Sequence, residues 1–187
     1  MRIAIFIDAG YLNKVLENEI PGPKIKLDYG KLAAHAVNQI NPTLDILRTY
    51  YYHCLPYQSN PPTEDEKARF SKAQSFIEKL DDLPSFQVRL GQLQRKGTPG
   101  AYQYEQKRID VLMSIDIVEL SATRQITHAA IMAGDSDFCP AVEVAKRNGV
   151  SVWLFHGRTP HIELRRMADN RVCIDEEFCT PIRYIKR

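Results

Sequence analysis

Short apolar runs alternate along the chain with stretches in which apolar residues recur every three or four positions. Ile3 to Ile7 read as a buried first strand that ends at Asp8; Ala9-Gly10 turn it into a helix through Tyr11, Leu12, Val15 and Leu16. Pro21-Gly22-Pro23 breaks that helix. Asp28 caps the next, whose Leu32, Ala33, Ala36, Val37 and Ile40 keep helical spacing until Asn41-Pro42. Leu44 to Cys54, rich in Ile, Thr and Tyr, is a second strand, and Pro56 to Pro62 a loop. Glu64 to Leu80 is an amphipathic helix with a wet outer face. Phe86 to Leu90 alternates with period two and is predicted to continue past Gly91 into Gln92 to Arg95; Lys96 to Tyr104, with Gly97, Pro99 and Gly100, reads as a mobile loop. A helix over Ile109 to Ala122, a strand over Ala129 to Ala133 and a helix carrying Val142, Val144 and Ala145 follow. Gly149 has the position of that helix's C-cap. A strand from Val150 to Phe155, a last helix from His161 to Ala168 and a closing strand at Val172-Cys173-Ile174 complete the pattern. Strands alternating with helices, without repeats or a linker, predict a single α/β domain over residues 1–187, with three layers around a mostly parallel sheet.

Composition narrows the function classes. With 44% apolar and 26% charged residues the chain has the balance of an ordinary soluble globule, and a net charge of +2 advertises no surface that coats nucleic acid. The four cysteines, Cys54, Cys139, Cys173 and Cys179, form no Cys-x-x-Cys pair, and the five histidines are scattered, which argues against structural zinc and for a reducing compartment. There is no signal-peptide core and no apolar run of about 18 residues, so the expectation is a cytoplasmic protein without a membrane span.

The chemistry gathers at strand ends. Asp8 closes the first strand, and Asp135 and Asp137 follow the apolar run that stops at Gly134, a glycine expected to permit a tight turn. In open α/β sheets ligands bind outside the carboxyl ends of the strands, which suits these acids to a metal or a phosphate-bearing substrate; one of the Asp135/Asp137 pair can serve as a helix cap without loss. Asp116 lies in a helix apolar almost all round and therefore expected to be buried. Its carboxylate must be compensated by a cation, a hydrogen-bond donor or a bound proton; a divalent metal would do so, and the alternative is a buried ion pair with Arg or Lys. Asp110, about 240° away round the helix, belongs at the helix start as a cap or supporting acid, while Glu119 defaults to solvent. Converging carboxylates suit magnesium or manganese, which can orient a phosphodiester, generate hydroxide and stabilise the leaving oxygen.

These residues resemble the NYN domain of the PIN-like nuclease superfamily, in its LabA-like branch. The likeness rests on Ile5-Phe6-Ile7-Asp8-Ala9-Gly10-Tyr11-Leu12, on Lys107-Arg108-Ile109-Asp110-Val111 with Asp116 after it, on Gly134-Asp135-Ser136-Asp137-Phe138 with Pro140, and on Glu163-Leu164 with Ala168-Asp169. It implies a PIN-like α/β/α sandwich and a Mg2+- or Mn2+-dependent ribonuclease that hydrolyses RNA phosphodiester bonds. Asp8, Asp116 and Asp135 would be the catalytic metal-binding acids, with Asp137 and Asp110 supporting them. Lys107, Arg108 and Ser136 would contact substrate. Tyr11 departs from the Asn many relatives carry there, and Asn13 is the nearest substitute contact. Arg95, Lys96, Arg165 and Arg166 offer further charge, and Tyr102 and Tyr104 offer stacking faces for single-stranded bases. The family likeness also admits a homodimer. The rival reading is a non-catalytic RNA-binding or regulatory module that keeps the acidic pocket. A haloacid-dehalogenase-type phosphatase needs an acid where Gly10 stands, and a Toprim nuclease wants Glu where Asp8 stands.

Overall fold

Ile3 to Ile7 are fully buried because both faces of their strand are covered, the condition under which a strand reads as a continuous apolar run. The computed structural model describes residues 1–23, 25–98 and 101–185. Its strands are β1 (Arg2–Asp8), β2 (Asp45–His53), β3 (Phe86–Leu90), β4 (Gln92–Lys96), β5 (Gln103–Lys107), β6 (His128–Met132), β7 (Ser151–His156) and β8 (Asn170–Cys173). The helices are α1 (Ala9–Asn18), α2 (Tyr29–Ile40), α3 (Glu64–Asp81), α4 (Ile109–Ala122), α5 (Cys139–Arg147), α6 (Ile162–Met167) and α7 (Glu176–Cys179). A six-stranded sheet runs in the order β3-β2-β1-β6-β7-β8, with every neighbouring pair parallel. From β1 the chain winds outward one way to β3, then returns to β6 on the other side of β1 and winds outward again. The carboxyl ends of β1 and β6 therefore flank the point where the winding reverses, the position at which such sheets open a crevice.

Alternation along β1 divides the core. Ile3, Ile5 and Ile7 face Leu12 and Val15 of α1, Leu32 and Val37 of α2, and Phe178 of α7. Ala4 and Phe6 face Met113 and Ile117 of α4 with Val142 and Ala145 of α5. This is the three-layer α/β/α sandwich expected from the pattern, and no helix among the described residues is long and apolar enough to cross a membrane. Asp28 caps α2, accepting from the Lys31 amide at 3.1 Å, and Gly149 takes a positive φ of 81° just past the end of α5.

The pattern misleads in four places. The third strand does not run on past Gly91. The chain leaves the sheet at Gly91, where only a glycine fits, since a Cβ would come within 2.5 Å of the Lys107 carbonyl and 2.8 Å of Ile109 Cδ1. β4 instead pairs antiparallel with β5, Arg95 opposite Tyr104, so Lys96, Gln103 and Tyr104 of the stretch expected as a loop belong to a hairpin, while Gly97, Thr98, Ala101 and Tyr102 lie between its strands; Pro99 and Gly100 lie outside the described residues. Second, α4 is not buried all round: Val111 and Ile115 stay 62% and 54% exposed. Third, α6 is not the last helix, since β8 and then α7 follow it. The fourth concerns Gly134, which has no left-handed backbone. It is small because the Tyr11 ring lies on it: a Cβ there would sit 2.1 Å from Tyr11 Cε2. The Tyr11 hydroxyl accepts a hydrogen bond from the Gly157 amide at 2.9 Å, so one side chain spans the ends of β1, β6 and β7.

This clamp can be tested against a harmless glycine. Gly134→Ala should destabilise the protein by about 1–3 kcal/mol in urea unfolding, because the ring cannot stay where it is. Gly30→Ala, whose Cβ would meet only Asp28 Oδ1 at 3.5 Å, should be neutral or stabilising by up to about 1 kcal/mol.

Candidate active site

Each acid is delivered by the end of an element. Asp8 is both the last residue of β1 and the N-cap of α1, accepting from the Tyr11 amide through Oδ1 at 3.1 Å. Asp135 follows β6 and caps the short turn Ser136–Phe138, accepting from the Asp137 amide through Oδ1 at 3.2 Å. Both residues thus cap a helical turn and line the same cleft. Asp110 stands in the first turn of α4, where the helix dipole favours a carboxylate. The helix starts abruptly: Arg108, its N-cap, has a φ of 75° and gives no side-chain cap, so backbone strain at a non-glycine residue accompanies the entry of Asp110.

A cleft of about 940 Å³ at the carboxyl ends of the strands brings together Asp8, Asp110 and Asp135, with Tyr11, Lys14 and Gln106 on its walls. Burial pushes the Asp8 carboxyl above its ordinary range and the Asp110 charge pushes it the same way; the Tyr11 and Gly10 amides and the Lys14 ammonium pull it back. Asp110 keeps an open side to solvent, yet the cleft wall withdraws enough water to raise its carboxyl, and the charges of Asp135 and Asp137 raise it further. Asp137 and Ser136 do not line this cleft. They lie beyond Asp110 in a groove of about 1080 Å³ between α4 and α5, which Asp110 shares.

Asp116 is held elsewhere. The Arg89 guanidinium grips it with both arms, Nη2 donating to Oδ1 at 2.9 Å and Nε to Oδ2 at 3.1 Å, and the Tyr52 hydroxyl donates to Oδ2 at 2.8 Å. The compensating cation for this buried acid is an arginine from β3. The sequence shows that this acid needs compensation but not which residue supplies it, because the pairing depends on α4 crossing the sheet at β2 and β3. Burial, and then the Asp116 charge, hold the Tyr52 hydroxyl well above its ordinary value. The guanidinium also lies 5.6 Å from the centre of the Tyr50 ring. Through this bidentate pair Asp116 ties α4 to the sheet, about 9 Å along the helix axis from Asp110. It lines neither the cleft nor the groove.

The other expected contacts divide similarly. Lys107 is paired with Glu105, which also takes Lys96, and Arg108 is exposed at the helix entry. Asn13 is half-buried on α1 and does not line the cleft; Lys14 does. Lys14 was legible, since Gly10, Tyr11 and Lys14 share one helical face running on from Asp8. Gln106 and the wall formed by Thr159, Pro160 and His161 carry no such signal; His161 is there because its amide donates to the Gly134 carbonyl at 2.8 Å.

Among the described residues no group of three or more His, Cys, Asp or Glu side chains is gathered closely enough to enclose a metal ion. The chemistry of the set still suits a hard divalent cation. Carboxylates predominate among the ionisable groups lining the cleft, with no cysteine and the one histidine His161 among the lining residues, and a hard divalent cation would relieve the repulsion between them.

Comparison with known proteins gives two results. The family model of the NYN domain matches residues 2–175. The uncharacterized protein y4oD of Sinorhizobium fredii (strain NBRC 101917 / NGR234) is 32% identical over 84 residues, which is 45% of this chain and 35% of that protein, so the chain spans about a third of the length of the curated relative it matches.

The acids should separate by their effect on stability. Arg89→Ala strands the Asp116 charge and should cost about 2–4 kcal/mol in urea unfolding at neutral pH. Asp110→Asn removes repulsion and should stabilise by up to about 1 kcal/mol. Because Asp8 and Asp110 hold protons more readily folded than unfolded, their ionisation costs stability above the raised values and that cost vanishes as pH falls. The gain from Asp110→Asn should therefore shrink toward zero in acid.

Proposed function

The chain belongs to the NYN domain family of the PIN-like nuclease superfamily, and from that premise we propose that it is a metal-dependent ribonuclease, one NYN domain acting on RNA phosphodiester bonds. The observation that carries this reading is the shared cleft of Asp8, Asp110 and Asp135 at the reversal point of the sheet, where burial and neighbouring acids raise the carboxyls of Asp8 and Asp110. Asp110 takes the part expected of Asp116, and Asp116 positions α4. Mg2+ or Mn2+ would be held by Asp8, Asp110 and Asp135, with Asp137 supporting from the adjoining groove, and would supply activation of water and stabilisation of the leaving oxygen. The chain's own groups do the rest. Tyr11 keeps the strand ends in register, Lys14 offsets part of the negative field, and the helix start fixes Asp110. The motifs around Asp8 and Asp135 support the LabA-like branch.

One observation favours a second reading, an RNA-binding module without turnover. Tyr11 replaces the polar Asn of many relatives, and its hydroxyl is spent on the Gly157 amide. The two readings part in a single assay of labelled RNA with Mn2+. The nuclease reading expects cleavage that chelation stops and that Asp135→Asn or Asp110→Asn lowers by at least about a hundredfold, a loss of the size seen when a group acting only in the transition state is removed. Mn2+ binding by calorimetry with no cleavage would favour the module.

A further inference from the structure

We infer that the β4–β5 hairpin is a stacking platform for unpaired bases, so that the RNA taken by the acidic cleft is single-stranded; the assignment of RNA rests on the proposed function, the platform on geometry of its own. Arg95 lies between two rings, its guanidinium carbon 4.5 Å from the centre of Tyr57 and 4.2 Å from that of Tyr102. Tyr104, cross-strand partner of Arg95, adjoins Tyr57, its ring centre 5.7 Å away and its plane tilted by 52°. A guanidinium set against aromatic rings places positive charge among exposed π faces, on which an unpaired base can stack.

Core packing does not account for this cluster. Tyr102 and Tyr104 remain 39% and 54% exposed, and of the hairpin residues Leu93 is the one that packs against the core. Exposed aromatic surface of this kind marks binding. Its placement names the ligand, because Tyr104 also lines the acidic cleft, and Gln106 beside it approaches the place a Gly10 Cβ would take to 3.2 Å. A strand whose base stacks on the cluster thus has its backbone beside Asp8 and Asp110. The hairpin's lysines add little phosphate attraction, since Lys96 and Lys107 are both paired with Glu105. Affinity must come chiefly from stacking, which a duplex, its bases already stacked within the helix, cannot supply.

The test is fluorescence anisotropy in EDTA with a labelled oligouridylate of about a dozen nucleotides against a blunt RNA duplex of the same length. The single strand should bind at least about tenfold tighter, with a log–log salt slope no steeper than about −2. Tyr104→Ala should weaken it about tenfold while Tyr104→Phe, which keeps the ring, restores it. Equal or tighter binding of the duplex, or an unchanged affinity in Tyr104→Ala, would overturn the platform. Because binding is read without metal, it is scored whether or not Mn2+-stimulated cleavage appears. Single-strand preference without cleavage would keep the platform and remove the nuclease reading. Cleavage with duplex preference would do the reverse.

Discussion

Three carboxylates facing one cleft repel one another, and the fold has to hold them there against that repulsion. Burial makes the problem worse, because it raises the carboxyls of Asp8 and Asp110 while neighbouring charges raise them again. Capping hydrogen bonds to Asp8 and Asp135 and the helix start at Asp110 offset the repulsion only in part. The arrangement persists because each is fixed by backbone that is committed to something else: Asp8 by a fully buried central strand, Asp135 by the turn after β6, Asp110 by the first turn of α4. Carboxyls shifted in this way at the rim of a cleft are the pattern expected of a functional site.

Two devices lock the rim. The Tyr11 ring on Gly134, with its hydroxyl on the Gly157 amide, fixes the ends of β1, β6 and β7 relative to one another. Asp116, gripped by Arg89 and Tyr52, fixes α4 against β2 and β3 and so sets where Asp110 stands. Two acids on one helix therefore meet opposite surroundings. Asp116 is gripped by a guanidinium and a hydroxyl, whereas Asp110 faces other carboxylates in the cleft.

Most of the architecture is legible in the sequence because buried parallel strands are continuous apolar runs and the covering helices keep a clean three-four spacing. Asp8 and Asp135 are legible too, as acids at the ends of such runs. What the pattern hides is whatever depends on contacts between distant segments. The need of Asp116 for compensation follows from its apolar helix, but Arg89 is one residue in an alternating strand with nothing to mark it as the partner. The hairpin's strands carry few apolar residues, Leu93 and Tyr104 among them, so β4 reads as an extension of β3 and the start of β5 as part of a loop. Gly134 looks like a turn glycine until the ring that rests on it is seen.

If crowding of these acids is what the fold sustains, a divalent cation must bind the folded chain in preference to the unfolded one. The direct measurement is the unfolding free energy with and without Mn2+. At a concentration about a hundredfold above Kd, Mn2+ should stabilise the wild-type chain by about 2.7 kcal/mol, and Asp8→Asn together with Asp135→Asn should abolish the effect. A wild-type unfolding curve that Mn2+ leaves unmoved would contradict the account.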